Sequence, residues 1–120
     1  MLGMTRIDGG LYVEDLQLGD GRELTYDHRV VLAYDLHLPD GRLMLHQDSA
    51  IFVMGCNDVV PGLEAGARGM RVGGSRRIVV PPRLGAGERA PWPLELPPFS
   101  ILVYEVEALR ASGYPCEGHP

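Results

Sequence analysis

His46 and the acids near it are the residues most capable of chemistry in this chain. Asp40-Gly41 sits between two alternating segments, and a two-residue hairpin there would set Asp35 directly across from His46. A carboxylate beside an imidazole can move a proton, so the pair is a candidate acid–base unit, with Asp48, Asp58 and Cys56 near the same rim. The plainer reading is a surface hydrogen bond among solvated polar groups. A metal site built from His37, His46 and Asp48 lacks the tight i, i+4 or C-x-x-C spacing that ligands usually keep, so no metal or cofactor is implied. Cys56 reads as a buried, inert thiol.

A second stretch, "VVPGLEAGARGMRVGGSRRIVVPP" (59–82), invites a phosphate reading and then refuses it. A Walker-type loop needs a lysine after its last glycine, and the chain has no lysine. A dinucleotide loop needs G-x-G-x-x-G after a strand, and Gly62, Gly66, Gly69, Gly73 and Gly74 never take that spacing. The glycines must therefore serve the backbone.

Composition narrows the classes further. The 120 residues suit one domain with a modest core, and 45% hydrophobic with 22% charged residues is ordinary for a globular protein. A net charge of −5 argues against nucleic acid as a partner. No window approaches the roughly 18 apolar residues of a spanning helix, and "MLGMTRIDGG" lacks a signal peptide's regions, so no membrane partner and a cytoplasmic location are expected. Cys56 and Cys116 make no disulfide framework. From Arg68 to Arg89 six arginines meet one acid, Glu88, which reads as a solvated strand-and-turn surface.

The elements that would position these groups are mostly strands. "LYVEDLQLGDG" (11–21) alternates loosely and ends in a turn, and "RVVLAYDLHL" (29–38) puts Val30, Leu32, Tyr34, Leu36 and Leu38 on one face. "RLMLH" and "AIFVMG" read as further β structure, "SRRIVV" as another strand, and "SILVYEVEAL" sets Leu102, Tyr104, Val106 and Ala108 opposite Glu105 and Glu107. One short helix is predicted over Pro61–Met70, with Leu63, Ala67 and Met70 on its inner face. Gly66 and Gly69 each cost such a helix about 1 kcal/mol and point to close approach against a sheet. The expected class is α+β: five or six antiparallel strands curling around the helix over residues 10–110, with a lead at 1–9 and a frayed tail at 111–120. The proline-rich connection 81–98 contains Trp92, either a lid or an anchor packed on its own prolines.

The order "GDG", "VVLAY", "PDG", "VVPGLEAGARGMRVGG", "VVPP" and "LPPFSILVYEVEAL" resembles the FKBP-type peptidyl-prolyl isomerases across residues 10–110. The resemblance implies a half-barrel around a helix, with an apolar pocket that holds a prolyl ring. Carried over residue by residue, it implies a catalytic wall of Tyr34, Val59, Val60, Leu63 and Tyr104, with Met44, Leu45, Phe52, Asp58, Ala86, Trp92 and Leu96 meeting substrate. Several matches are departures. Ala33 replaces a histidine, Ala50 and Leu45 replace an aromatic and a carboxylate, and Leu63 stands for a tryptophan. Ala86 stands for a tyrosine, and Tyr104 for a phenylalanine. The activity implied is X-Pro isomerisation without a cofactor, weak or altered in specificity. Two other readings stay open: a pocket that only binds a partner, and a widened pocket acting on a small apolar metabolite through His46, Asp35 or Asp58.

Overall fold

A computed structural model of the chain describes residues 5–7, 10–25, 28–54, 61–82 and 100–113. Six strands form one antiparallel sheet: β1 (Thr5–Ile7), β2 (Leu11–Gln17), β3 (His28–His37), β4 (Leu43–Val53), β5 (Ser75–Val80) and β6 (Leu102–Gly113). Their order across the sheet is β1-β2-β5-β6-β3-β4, so the first and last strands belong to the same sheet. The single helix α1 (Pro61–Ala67) packs on β5 and β2.

Period-two patterning places the core. Val30, Leu32 and Leu36 on β3 and Leu38 just after it are buried, and on β6 so are Leu102, Tyr104, Val106 and Ala108. Leu63, Ala67 and Met70 meet that face from the helix and the turn after it. Burying such side chains contributes about 1.5–3 kcal/mol each relative to exposure, which is what holds a seven-residue helix that could not persist alone.

The helix ends three residues earlier than its apolar spacing predicts, and the two glycines explain why. Gly66 does pack against the sheet: a Cβ there would lie 2.4 Å from Ile78 Cγ2. Gly69 does not, since nothing comes closer than 4.0 Å to its would-be Cβ. Its φ of 87° is the left-handed conformation that terminates helices, and its N–H donates to Leu24 O at 2.8 Å. Across the same end, Arg76 of β5 donates from Nη1 to Gly66 O (2.8 Å) and Arg68 O (3.2 Å), and from Nε to Asp15 of β2 (2.7 Å). A cation there answers both the unpaired carbonyls and the negative end of the helix dipole.

Three further expectations change. The tail is not frayed from 111 onward, because β6 runs on to Gly113 and pairs Ala111 with Val30 and Ser112 with Arg29. The N-terminal lead supplies β1, which pairs with β2. "RLMLH" and "AIFVMG" are one strand, continuous through the polar His46–Ser49 because β4 is the sheet's edge and wets both faces there.

Candidate functional site

The turn between β3 and β4 decides which side chains face inward. Leu38 N–H donates to Arg42 O (3.0 Å) and Gly41 N–H to Leu38 O (2.9 Å), which leaves a three-residue loop rather than the predicted two. A three-residue loop alone would shift the register by one. A β-bulge restores it: His37 pairs with Leu43, Leu36 with Leu45, and Met44 is the extra residue. Asp35 therefore does face His46, but through a longer turn and a bulge that cancel. The bulge also lets consecutive residues Met44 and Leu45 both pack against the core, while Leu43 stays exposed.

On the inner, helix-facing side, Tyr34, Met44, Leu45, Phe52, Leu63 and Tyr104 belong to one apolar cluster. Phe52 (4% exposed), Leu63 (1%) and Tyr104 (3%) are enclosed, and Tyr34 is half-buried at the edge. The rings of Tyr34 and Tyr104 meet edge to face with centroids 5.4 Å apart, a geometry worth about 0.5–1.5 kcal/mol beyond burial. Burial raises the pKa of both phenols, and at Tyr104 the neighbouring Tyr34 adds to the effect. Both stay protonated across the physiological range.

The acid–base pair lies elsewhere. Asp35 and His46 alternate out of phase with Tyr34 and Leu36, so they project from the opposite face of the sheet. His46 Nδ1 lies 2.5 Å from Asp35 Oδ1, and Nε2 lies 2.6 Å from Asp48 Oδ1. The hydrogen bond to Asp35, then that to Asp48, raises the imidazole pKa. With both ring nitrogens engaged and the sheet between them and the apolar wall, this trio cannot serve a substrate held against Tyr104. Among the described residues, no group of three His, Cys, Asp or Glu is placed to hold a metal.

The same outer face carries a row of charges that the sequence did not reveal. Glu14 pairs with Arg77, Arg77 with Glu105, Glu105 with Asp35 and Asp35 with His46, crossing five strands. Arg77 binds Glu105 at 2.9 Å and Glu14 at 3.1 Å, and Arg76 binds Asp15, so these two arginines of the basic run are neutralised within the sheet. Leu16, Asp35, His46, Glu105 and Glu107 line an open crevice of about 390 Å³ on this side, and Tyr34 and Val106 also border it. Only the strand register brings these residues together, and no local motif signals it. Of the other residues named from the sequence, Val59, Val60, Asp58, Ala86, Trp92, Leu96 and Cys56 lie outside the described residues.

An antiparallel half-barrel wrapped on a short helix, with an aromatic inner wall, is the architecture of a known class of proline-directed enzymes. A family model described as FKBP-type peptidyl-prolyl cis-trans isomerase matches residues 20–109. The chain belongs to that family. It is 34% identical over 108 residues to a 46 kDa FK506-binding nuclear protein of Spodoptera frugiperda, covering 85% of this chain and 26% of that protein. It is 31% identical over 109 residues to an FK506-binding protein of Neisseria meningitidis serogroup B, covering 85% of this chain and 96% of that one. The crystal structure of FkpA from Escherichia coli superposes with a TM-score of 0.83 at 28% identity, over 94% of this chain and 53% of that chain. The chain thus spans about a quarter of the insect relative and nearly all of the meningococcal one.

Proposed function

We propose that this chain catalyses cis/trans exchange of X-Pro peptide bonds at the inner wall. The observation that carries the reading is the convergence of Tyr34, Met44, Leu45, Phe52, Leu63 and Tyr104 on the helix-facing side, with the only described acid–base trio on the other. Rotation about X-Pro needs no nucleophile and no proton transfer; it needs the amide's resonance to be lost. The barrier for a peptide bond is about 18–20 kcal/mol. Removing roughly 5 kcal/mol of it gives a several-thousand-fold gain. An apolar wall supplies such a gain by taking the amide out of water and fitting the twisted form best.

The test is exchange spectroscopy on a short Leu-Pro peptide. Substoichiometric protein should broaden and merge the cis and trans signals, and Tyr34→Ala should reduce the exchange rate while His46→Ala leaves it intact. Absence of exchange at near-equimolar protein would sink the reading. Loss of exchange in His46→Ala would move the chemistry to the outer face.

A further inference from the structure

Tyr104 sits at the centre of the inner wall and carries a group that the wall does not need. Its ring fills the core position between Val103 and Glu105 on β6 and packs against Tyr34. Phenylalanine would do that packing equally well. The hydroxyl, in contrast, is not spent inside the protein. Neither Tyr104 nor Tyr34 makes a side-chain hydrogen bond among the described residues, although Tyr104 is only 3% exposed. No fully enclosed side-chain nitrogen or oxygen among the described residues lacks a partner. The Tyr104 hydroxyl is therefore the part of the residue that reaches open space.

A hydroxyl on so enclosed a residue keeps only a small part of its hydration and gains no protein partner, which costs stability. Such a group in an otherwise satisfied structure calls for an explanation outside the packing. Its chemistry narrows what the explanation is. The phenol stays protonated, since burial and the neighbouring Tyr34 both raise its pKa, so it offers an O–H donor at every working pH. Tyr34 offers a second uncommitted hydroxyl beside it, at the half-buried rim. Everything else in this cluster is aliphatic, thioether or phenyl, and donates nothing.

We propose that the Tyr104 hydroxyl is a specificity-determining donor that binds a carbonyl oxygen of the substrate next to the isomerising bond. The inference rests on the X-Pro reading and adds which substrate atom is read and by what. The oxygen of the rotating amide is a poor acceptor for this purpose. As the C–N bond twists, resonance is lost and that oxygen becomes less basic, so a donor aimed at it would hold the planar ground state. A neighbouring carbonyl keeps its resonance throughout. A hydrogen bond to it holds ground state and transition state alike, which sets affinity and leaves the barrier unchanged.

The kinetic consequence is specific. Tyr104→Phe should raise KM for a Leu-Pro peptide by roughly two- to ten-fold, the span of one hydrogen bond, with kcat held. The same variant should melt at or above the temperature of the parent, because it removes a largely enclosed hydroxyl that makes no bond within the protein. A residue with a purely structural role would move Tm downward and leave KM alone. Peptide titrations followed by NMR shifts, run beside exchange measurements on parent and Tyr104→Phe, separate the possibilities. An unchanged KM in an active Tyr104→Phe overturns the donor role and leaves isomerisation standing. A fall in kcat at constant KM also overturns it, since the donor would then act on the rotating bond. If the parent binds the peptide without exchanging it and Tyr104→Phe binds more weakly, the donor role stands and the isomerase reading falls. If the parent neither binds nor exchanges, both fall.

Discussion

Replacing Gly66 by alanine sets two effects of known size against each other. In a free helix the change would stabilise by about 1 kcal/mol, because glycine loses more backbone entropy than alanine. Here the new methyl would sit 2.4 Å from Ile78 Cγ2, 2.9 Å from Cδ1 and 3.0 Å from Cγ1. Ordinary contact needs about 3.5–4.0 Å, so Ile78 must retreat by roughly 1 Å. Ile78 is fully enclosed and β-branched, with a stiff χ1, in an interior that packs densely. Overpacking of this kind costs about 1–3 kcal/mol, and a shortfall on a branched carbon belongs near the upper end. After the propensity gain is subtracted, Gly66→Ala should destabilise by about 2 kcal/mol, or about 8 °C in Tm for a domain of this size. The discriminating measurement repeats the change in an Ile78→Ala background. Ile78→Ala alone opens a cavity and costs about 2–5 kcal/mol. Within that cavity the methyl at 66 has room, so the double variant should be more stable than Ile78→Ala by about 1 kcal/mol. Urea unfolding of the four proteins gives the cycle directly. A neutral or stabilising Gly66→Ala in the parent, or the same loss in both backgrounds, would refute steric contact as the reason for that glycine.

The outer face gives a pH prediction. His46 has its pKa raised by Asp35 first and Asp48 second, so its charged form is favoured by folding, and that stabilisation is complete below the unfolded imidazole's range and lost as pH rises through the folded pKa. Melting temperature should fall over that interval in the parent and flatten in His46→Gln, while Asp35→Asn should lower the imidazole pKa, read by NMR titration, more than Asp48→Asn does. Arg76→Met should cost about 2–4 kcal/mol by chemical denaturation, because it strands Asp15 and two helix-end carbonyls, and Arg76→Lys should recover little, since one ammonium cannot span three acceptors on two elements. A loss under 0.5 kcal/mol in Arg76→Met would mean that the arginine is a bystander at the helix end.

The long strands were readable because one face of each is buried and the other wet. Val30 to Leu38 and Leu102 to Ala108 alternate for that reason alone. The contact between Asp35 and His46 was reached through a turn of the wrong length; the loop is one residue longer and the bulge at Met44 returns the missing step. A bulge leaves no mark in composition, so nothing in "RLMLH" announces that Met44 and Leu45 share a side. The face was equally out of reach while His46 was considered with the pocket, because only register against Tyr34 shows that it points away. Gly66 and Gly69 look alike in sequence and do opposite things, one permitting a close approach and the other a left-handed turn. Residues 111–113 become strand through β3 partners at 28–30, far away in sequence, which local patterning does not reveal, whereas 5–7 pair with the nearby 11–13. The family resemblance named the fold and the class, and the positions at 58–60 and 83–99 lie outside the described residues.

Arg76 ties three parts of the molecule that are distant in sequence: β2 through Asp15, the end of α1 through Gly66 and Arg68, and its own strand β5. A seven-residue helix has no lifetime of its own in water, so α1 persists only while its packing on β2 and β5, with Arg76 clasping its end, stays in place. Helix and sheet therefore open together. The amides of α1 should exchange with solvent at the rate of the central strands rather than at the faster rate of a surface helix, and the inner wall loses its backing only when the whole domain unfolds.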